Sequence, residues 1–562
     1  MRLDRLRPLS RSGPASVALL FAVAALALAP VLLNGIGRGD SAYYSLLWSS
    51  QIAPRWPVDF YLRWLPDSFG GRGAPTFFFY PPAGYWLDAA IDWLTGRSMP
   101  GRWRLAVTTW LLFALSGITM RAWLIRYVPP STALLAGAAL IMAPYHLLDH
   151  YWRAALAELT AIAVLPVALA AAAASVRGWR GVPFLALAYA LLVCAHLPSA
   201  MLASVSILPA VMAGSVLSWR ARPLAGAGVR AGLGVALGLG LAAVYLGPAL
   251  LLQDSTSIIL LWRPAFQPTP WLIVSYPVWQ DVPLMLAISA LALAHAMGCA
   301  ALLSLVRGPA GPMRNLVRSL AIIGLASVAL LAGVVPAVWD LPWLGKVQFP
   351  WRLLAPVEIG SIAALALATR IALPREVLRI AIVMAVLSAP ALAIAILAWH
   401  SGRDAFTAGA FMRTEMTAEL VGAQDASEYL PAGLSIPQIQ DFAFHRTATL
   451  PRAGTVSCMP ATAMCMQQDG WISVEAVQPT TVLVQSFYFP GWQARTATGT
   501  VLPVAASTPD RLLEVTVPPG LTRFSTTRIR TTPEQAGTAV SALSLVCVLG
   551  WIVAARVRRV RR

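Results

Sequence analysis

The amino-acid sequence predicts an all-α polytopic membrane bundle of about 12 transmembrane helices with a C-terminal external β-sandwich. Three observations carry this prediction. Only 12% of the residues are charged, about half the share that is usual in soluble globular proteins. Apolar runs of roughly 20 residues, enough to cross a ~30 Å hydrocarbon core, recur along most of the chain. Finally, arginines concentrate in every second connection between these runs.

The predicted spans alternate regularly across the membrane. They fall at about 15–37, 104–125, 131–147, 155–176, 182–197, 199–218, 228–251, 283–306, 316–338, 354–370, 377–399 and 537–555. If all twelve cross, the arginine-rich connections and both termini share one side, which the positive-inside rule assigns to the cytoplasm. We therefore expect a multi-pass protein of the bacterial inner membrane whose two termini are cytoplasmic.

The formal net charge of +18 and the isoelectric point of about 10.5 would suggest nucleic acid as a partner of a soluble protein. Here the positive charge follows the topology of the chain, so we expect no nucleic-acid partner. The sequence then divides into three parts. A transmembrane domain at 1–399 includes a first external loop at 37–102, a periplasmic β-rich domain occupies 400–536, and a last helix with a basic tail occupies 537–562.

The first external loop carries the leading candidate for chemistry. Asp40 follows Gly37-Arg38-Gly39 directly after the first span. A carboxylate at the membrane surface can take a proton from an acceptor hydroxyl or hold a divalent cation that activates it. The alternative is a solvated loop aspartate. Further along the loop, 81–96 is too short and too acidic to span, and its aromatic residues favour a helix lying in the interface.

Charged residues gather at the predicted external junction between the third and fourth spans. His146, Asp149, Arg153 and Glu158 all lie there. Charged groups at a membrane edge are costly to desolvate and are usually functional. Asp149 and Arg153 are four residues apart, which places them on one face of a helix. A substrate-binding role and a structural ion-pair cluster both remain open, and Arg153 is the expected partner of Glu158.

External cations run against the charge bias and are therefore candidates for binding an anion. Lys346 is the only lysine of the chain and lies six residues before Arg352, among aromatic residues. Arg263, in a neighbouring external loop, is a third candidate. These residue types bind phosphate at the level of lipid headgroups. The alternative is that the long side chains contact lipid headgroups nonspecifically.

Two cysteines fall in the external β-rich segment. Cys458 and Cys465 lie where an oxidising compartment would allow a disulfide. Zinc is the competing use of two nearby thiols, but no pair of histidines accompanies them. We expect the disulfide. Elsewhere, His146 and His150 are four residues apart and share a helix face, which leaves a metal-binding histidine pair open as an alternative, and the sequence names no cofactor.

Several segments together resemble a known bacterial family, the membrane proteins called 6-pyruvoyl-tetrahydropterin synthase-related, which are akin to the YfhO-like proteins of the GT-C glycosyltransferase superfamily. The pterin in that name finds no support in these residues. The resemblance spans nearly the whole chain, and its motifs are Gly39-Asp40, Pro54-Arg55-Trp56, Arg63-Trp64-Leu65-Pro66, Gly70-Gly71-Arg72-Gly73-Ala74-Pro75, Phe77-Phe78-Phe79-Tyr80-Pro81-Pro82, Ala143-Pro144-Tyr145-His146, Arg153 with Glu158, Gln348-Phe349-Pro350-Trp351-Arg352 and Tyr488-Phe489-Pro490-Gly491-Trp492.

The resemblance implies a GT-C-like fold and a role for each candidate. Asp40 would match the superfamily's essential carboxylate and act on the acceptor hydroxyl. Lys346 and Arg352 would match basic residues beside the phosphate of a polyprenyl-phosphate sugar donor. The paired acid of the family motif is missing, because Ser41 follows Asp40. This departure leaves a divalent metal as the less favoured alternative to a lone base.

We therefore expect a membrane glycosyltransferase that moves a sugar from a polyprenyl-phosphate donor to an external acceptor. The expected partners are this lipid-linked donor, membrane lipids, and an envelope glycan, lipid or protein acceptor. One rival is a transporter or flippase of lipid-linked glycan. It predicts ionisable residues in the middle of spans and an inverted repeat, and neither stands out in the sequence. A second rival is a non-catalytic envelope-assembly protein.

Overall fold

The computed structural model describes residues 13–36, 41–217, 224–275, 279, 281–407, 425–444 and 455–560. The described α-helices are α1 (Gly13–Ala27), α2 (Ala29–Asn34), α3 (Ala42–Ile52), α4 (Ser68–Gly71), α5 (Thr76–Phe79), α6 (Ala83–Leu94), α7 (Gly101–Leu124), α8 (Pro130–Ile141), α9 (Pro144–Leu148), α10 (Leu156–Arg177), α11 (Val182–Ala195), α12 (Leu197–Val205), α13 (Ile207–Leu217), α14 (Leu224–Leu241), α15 (Ala243–Leu251), α16 (Val282–Leu305), α17 (Pro312–Ala332), α18 (Leu354–Ala368), α19 (Pro374–Thr407), α20 (Ile436–Phe444) and α21 (Thr532–Val560). The strands are β1 (Val456–Met459), β2 (Met464–Gln468), β3 (Trp471–Ala476), β4 (Thr480–Phe487), β5 (Trp492–Thr496), β6 (Val501–Leu502), β7 (Val504–Ala506), β8 (Leu512–Val517) and β9 (Gly520–Arg528).

The helices confirm the prediction of a membrane bundle. In the described part of the chain, nine helical segments are long and apolar enough to cross a membrane. They are Gly101–Leu124, Pro130–Arg153, Leu156–Arg177, Leu197–Leu217, Val282–Leu305, Pro312–Ala332, Pro350–Ala368, Pro374–Ala398 and Thr532–Val557. A tenth is the pair α14–α15, bent by 71°, and α1 and the segment Trp179–Ala195 are shorter apolar helices. Each of these twelve segments corresponds to one predicted span.

Proline and glycine set several helix boundaries. Pro130 and Pro312 occupy the first positions of α8 and α17, where the missing N–H of proline costs no hydrogen bond. Gly333 ends α17 with a φ of 85°, a left-handed conformation that glycine adopts without strain. The helix α19 continues to Thr407, past the predicted boundary at 399, and α21 begins at Thr532 rather than at 537.

A buried ionic network holds the first loop against the bundle. Arg104 of α7 contacts Asp88 and Asp92 of α6, with N–O distances of 3.0 and 2.6 Å. The same guanidinium donates to Ser49 Oγ of α3 at 2.6 Å, and Thr108 Oγ1 donates to Asp88 at 3.0 Å. The helix expected at 81–96 is thus present as α6, and its two acids face the protein instead of water. Every charge in this network has a partner, as a buried charge requires.

The C-terminal β region consists of two antiparallel sheets packed face to face. Their strand orders are β1-β4-β8-β7 and β2-β3-β9-β5-β6. Their shared core joins Val474 and Phe524 of one sheet to Val484 and Val515 of the other. Cys458 of β1 and Cys465 of β2 form a disulfide with a Cα–Cα distance of 6.1 Å, which links an edge strand of each sheet.

Polar contacts join this β region to the rest of the protein. The N–H of Phe487 on β4 donates to the carbonyl of Arg72 in the first loop at 2.8 Å. Glu534 of α21 accepts from Arg528 of β9 at 2.8 and 3.0 Å and lies 3.7 Å from Arg63. The β region is therefore anchored to both the first loop and the last membrane helix.

Candidate functional site

The candidate site begins where the chain breaks between α8 and α10. Pro144 opens the short helix α9, and residues Asp149–Arg153 then form a π-helical turn. Ala154 follows in the left-handed conformation, with a φ of 50°. Such turns widen a helix locally and are frequent at functional sites. The wider turn brings the side chain of Arg153 back over Asp149.

Four charged residues form a buried ion-pair cluster at one end of the bundle. Arg153 Nη1 lies 2.6 Å from Asp149 Oδ1 and 2.7 Å from Glu158 Oε2. Arg352 Nε lies 3.4 Å from the same Glu158 oxygen. The phenol of Tyr145 donates to Glu158 Oε1 at 2.6 Å. Two cations face two acids, so the cluster is formally neutral, which limits the cost of burying charge beside lipid.

Asp40 lies outside the described residues, but the residue after it does not. The N–H of Ser41 donates to the carbonyl oxygen of Arg153 at 2.8 Å. Helix α3 begins at the next residue, Ala42. The chain that follows Asp40 is therefore tied to the backbone of the ion-pair cluster.

Aromatic rings cover both arginines of the cluster. Phe349 and Trp351 stack with ring centroids 4.5 Å apart, and we call this pair the aromatic shelf. The guanidinium carbon of Arg352 lies 4.8 Å from the Phe349 ring, and that of Arg153 lies 5.9 Å from each shelf ring. Cation–π contacts of this kind stabilise a desolvated guanidinium.

The predicted cations Lys346 and Arg263 lie at the exposed edge of this arrangement, and we call them the rim cations. Lys346 Nζ is 5.9 Å from the ring of Trp262, the residue before Arg263. Arg263 lies over Phe266 at 5.2 Å, and Phe266 is 6.2 Å from Phe349 of the shelf. The two loops thus bring both rim cations to one side of the shelf.

Two histidines, the predicted His146 and His196 at the junction of α11 and α12, are buried inside the bundle. The ring of His146 stacks on Phe113 with centroids 3.8 Å apart, and its Nδ1 lies 3.1 Å from the carbonyl of Leu140. His146 therefore does not join the ion-pair cluster through its ring. His196 Nδ1 pairs with Ser199 Oγ at 2.7 Å. Among the described residues, no three His, Cys, Asp or Glu side chains are grouped so that they could hold a metal ion.

Tyr80 of the first loop faces the ion-pair cluster. Burial raises the pKa of Tyr80 to about 12, while the nearby charges of Arg352 and Arg153 oppose this rise. The ring of Tyr80 meets Trp48 of α3 edge to face at 4.7 Å. The first loop therefore contributes an aromatic wall beside the two arginines.

Glu358 is a buried residue that the sequence analysis did not identify. Its two carboxylate oxygens accept the N–H groups of Tyr145 and His146 at 3.0 and 3.2 Å. These are the second and third residues of α9, so Glu358 takes the place of a local capping side chain.

Glu358 lies within the span Pro350–Ala368, and buried His295 lies within Val282–Leu305. Ionisable residues therefore do lie within spans, a feature of the transporter alternative that did not stand out in the sequence. The sequence signal that could have identified Glu358 is an acidic residue inside an otherwise apolar run.

Comparison with known proteins returns distant structural matches. No family model matches the chain, and no curated protein matches it significantly. Similar solved structures include arabinofuranosyltransferase AftD from mycobacteria, at 19% identity and a TM-score of 0.40. A mutant of AftD is similar at 18% identity and a TM-score of 0.41. Each alignment covers 68% of this chain but only 26% and 28% of the AftD chains, respectively.

Proposed function

We propose that this protein is a membrane glycosyltransferase of the GT-C type that transfers a sugar from a polyprenyl-phosphate donor to a cell-envelope acceptor. The observation that carries the proposal is the bond between Ser41 and Arg153. It ties Ser41, the residue after the candidate base Asp40, to the backbone of Arg153, one of two buried arginines suited to a phosphate. A carboxylate near the acceptor and cations near the leaving group are what glycosyl transfer requires.

Donors in the site support the phosphate end of this proposal. Arg352 Nε makes no hydrogen bond with the Glu158 oxygen 3.4 Å away. Trp351 Nε1 is also buried and has no hydrogen-bond partner among the described residues. An unpaired buried donor costs about 1–3 kcal/mol, and a phosphate group carries the acceptor oxygens that such donors need. The rim cations would attract the charged headgroup from the membrane surface.

The proposed sugar transfer then follows from the charges of these side chains. Asp40 takes the proton of the acceptor hydroxyl as the hydroxyl oxygen attacks the anomeric carbon of the sugar. The bond between that carbon and the phosphate oxygen breaks, and polyprenyl phosphate leaves with the electron pair. Arg352 and Lys346 stabilise the negative charge of the leaving phosphate. Glu158 and Asp149 hold the arginines in place while no ligand is bound.

The test is sugar transfer in liposomes that contain the purified protein and a panel of polyprenyl-phosphate-linked sugars. We expect Asp40→Asn to lower kcat by about 10²–10⁴-fold, the usual contribution of a general base. Lys346→Gln should raise the KM for the donor several-fold. The matched control is Asp254→Asn, since Asp254 is an exposed loop acid and its loss should leave both constants unchanged. Equal turnover by Asp40→Asn and wild type would refute the role of Asp40.

Transport of a lipid-linked glycan is the second candidate function. The 71° bend between α14 and α15 and the buried Glu358 within a span favour it, because transporters use broken helices and intramembrane charges. At the break, however, Ser541 Oγ donates to Leu241 O at 2.8 Å and Arg63 donates to Val244 O at 2.9 Å. Movement of the labelled lipid-linked sugar between leaflets, without transfer to any acceptor, would select this function.

A further inference from the structure

A short segment from the C-terminal half of the chain lies beside the first loop. It runs from Asp425 to Leu430 and contains a 3-10 turn at Ser427–Tyr429, and we call it the strap. Ser257 fixes one side of it, because its N–H donates to Leu430 O at 2.7 Å and its hydroxyl donates to Pro431 O at 2.9 Å. The strap is thereby held against the loop that also carries Arg263.

The other side of the strap is bound to the first loop. Trp48 Nε1 of α3 donates to Asp425 Oδ1 at 2.9 Å, and both side chains are buried. The ring of Tyr429 packs 6.1 Å from Trp48 and stacks on Phe79 at 6.3 Å. Because it is fixed on both sides, the strap presents its remaining acid, Glu428, in a defined place.

Glu428 is the one acid of the strap with an accessible side chain. It is partly exposed, whereas Asp425 is buried. Four groups interact with it electrostatically: Tyr44 on α3, Arg263 on the neighbouring loop, and Asp425 and Tyr429 on the strap itself. Tyr44 is three residues after Ser41, which binds the carbonyl of Arg153. The ring of Tyr429, the residue after Glu428, lies 6.1 Å from Trp48, whose ring lies 5.7 Å from Tyr44, so Glu428 is held near the end of α3 that begins after Ser41.

We propose that Glu428 is an acceptor-binding carboxylate, which accepts hydrogen bonds from the hydroxyl groups of a glycan acceptor next to the ring of Tyr44. This inference rests on the proposed function and adds the acceptor side to it. A carboxylate beside an aromatic ring offers a sugar both a strong hydrogen-bond acceptor and an apolar face. The second acid that is missing after Asp40 would thus come from a distant part of the chain.

The titration of Glu428 gives the proposal a defined pH dependence. Burial raises the pKa of Glu428 to about 7, the nearby charge of Asp425 adds to the rise, and Arg263 opposes it. The carboxylate form accepts hydroxyl hydrogen bonds more strongly than the protonated form. Binding of the acceptor should therefore weaken as the pH falls below about 7.

The first experiment separates the two substrates kinetically. Glu428→Gln should raise the KM for the acceptor about tenfold or more, the usual effect of losing a hydrogen bond to a charged group. It should leave the donor KM and kcat unchanged and remove the dependence of the acceptor KM on pH near 7. Glu428→Asp should recover part of the affinity. Glu475→Gln, at an exposed acid of β3, is the matched control and should behave as wild type.

The outcomes are distinguishable. An unchanged acceptor KM in Glu428→Gln, or a fall in kcat alone, would overturn the acceptor-binding role while leaving the proposed transfer intact. Absence of transfer by the wild type would instead count against the proposed function. In that case infrared difference spectra with methyl glycosides of arabinose, mannose, glucose and galactose decide the point. A carboxyl band that titrates near pH 7, shifts with one glycoside and is missing in Glu428→Gln supports the inference, and no such band overturns it.

Discussion

Replacing Arg153 by methionine tests whether the ion-pair cluster is electrostatically coupled. The change keeps much of the apolar side chain but removes the only cation within ion-pair distance of Asp149 among the described residues. Glu158 keeps only Arg352, at 3.4 Å. Breaking a buried ion pair by removing one partner costs about 3–5 kcal/mol. The Arg153 side chain is only 11% exposed, so solvent screens little of the electrostatic cost of breaking the ion pair. We therefore expect Arg153→Met to lower the free energy of unfolding by about 4 kcal/mol.

The assay is unfolding in mixed micelles by increasing fractions of dodecyl sulfate, followed by tryptophan fluorescence. Asp149→Asn in the Arg153→Met background removes the orphaned acid and leaves the Arg352–Glu158 pair, so the double variant should regain about 2 kcal/mol relative to Arg153→Met. Arg263→Met is the control, since Arg263 is exposed and should change stability by less than about 0.5 kcal/mol. If Arg153→Met unfolds like Arg263→Met, or if Asp149→Asn destabilises it further, the reasoning is wrong.

Three other predictions use the same unfolding assay. Arg104→Met should cost about 3–5 kcal/mol because Asp88 stays buried without its cation, and Asp88→Asn should relieve part of this loss; a cost below about 1 kcal/mol would contradict it. Replacing Cys458 and Cys465 by serine opens a loop with a sequence separation of seven and should cost about 2 kcal/mol, a difference that a reductant should abolish. Burial raises the pKa of Glu428 from its ordinary value of 4.5 to about 7, so the folded protein holds this proton more tightly than the unfolded chain. Stability should therefore fall as the pH rises from about 4.5 to 7, and Glu428→Gln should flatten that part of the pH profile; an unchanged profile would refute the assignment.

The membrane spans could be predicted from sequence because their signal is local. Lipid cannot satisfy free backbone groups, so a crossing must be helical and apolar along most of its length. All twelve predicted runs have a helical counterpart. A β-rich region before the last helix was also predicted, and alternating residues of β3, β4 and β8 point into one core there. The edge strands β1 and β2 contain no fully buried residue, and β2 is mostly exposed.

Part of the candidate site was also local. Asp149, Arg153 and Glu158 lie within ten residues of one another, so their pairing followed from helical spacing and from the cost of unpaired charge beside lipid. Arg352 was named as a phosphate ligand on its residue type, but its place beside Glu158 was not readable from the sequence.

Only the tertiary structure decided which distant residues complete the site. Glu358 caps α9 across 213 positions of the sequence, and Asp425 binds Trp48 across 377. Such pairings leave no periodic signal, because a buried acid can be satisfied by any donor that the packing brings near it. The sequence by itself determined where apolar helices recur along the chain and where charge collects. The fold alone determined that the strap and the ion-pair cluster both contact the first loop, since that depends on how the helices pack against one another.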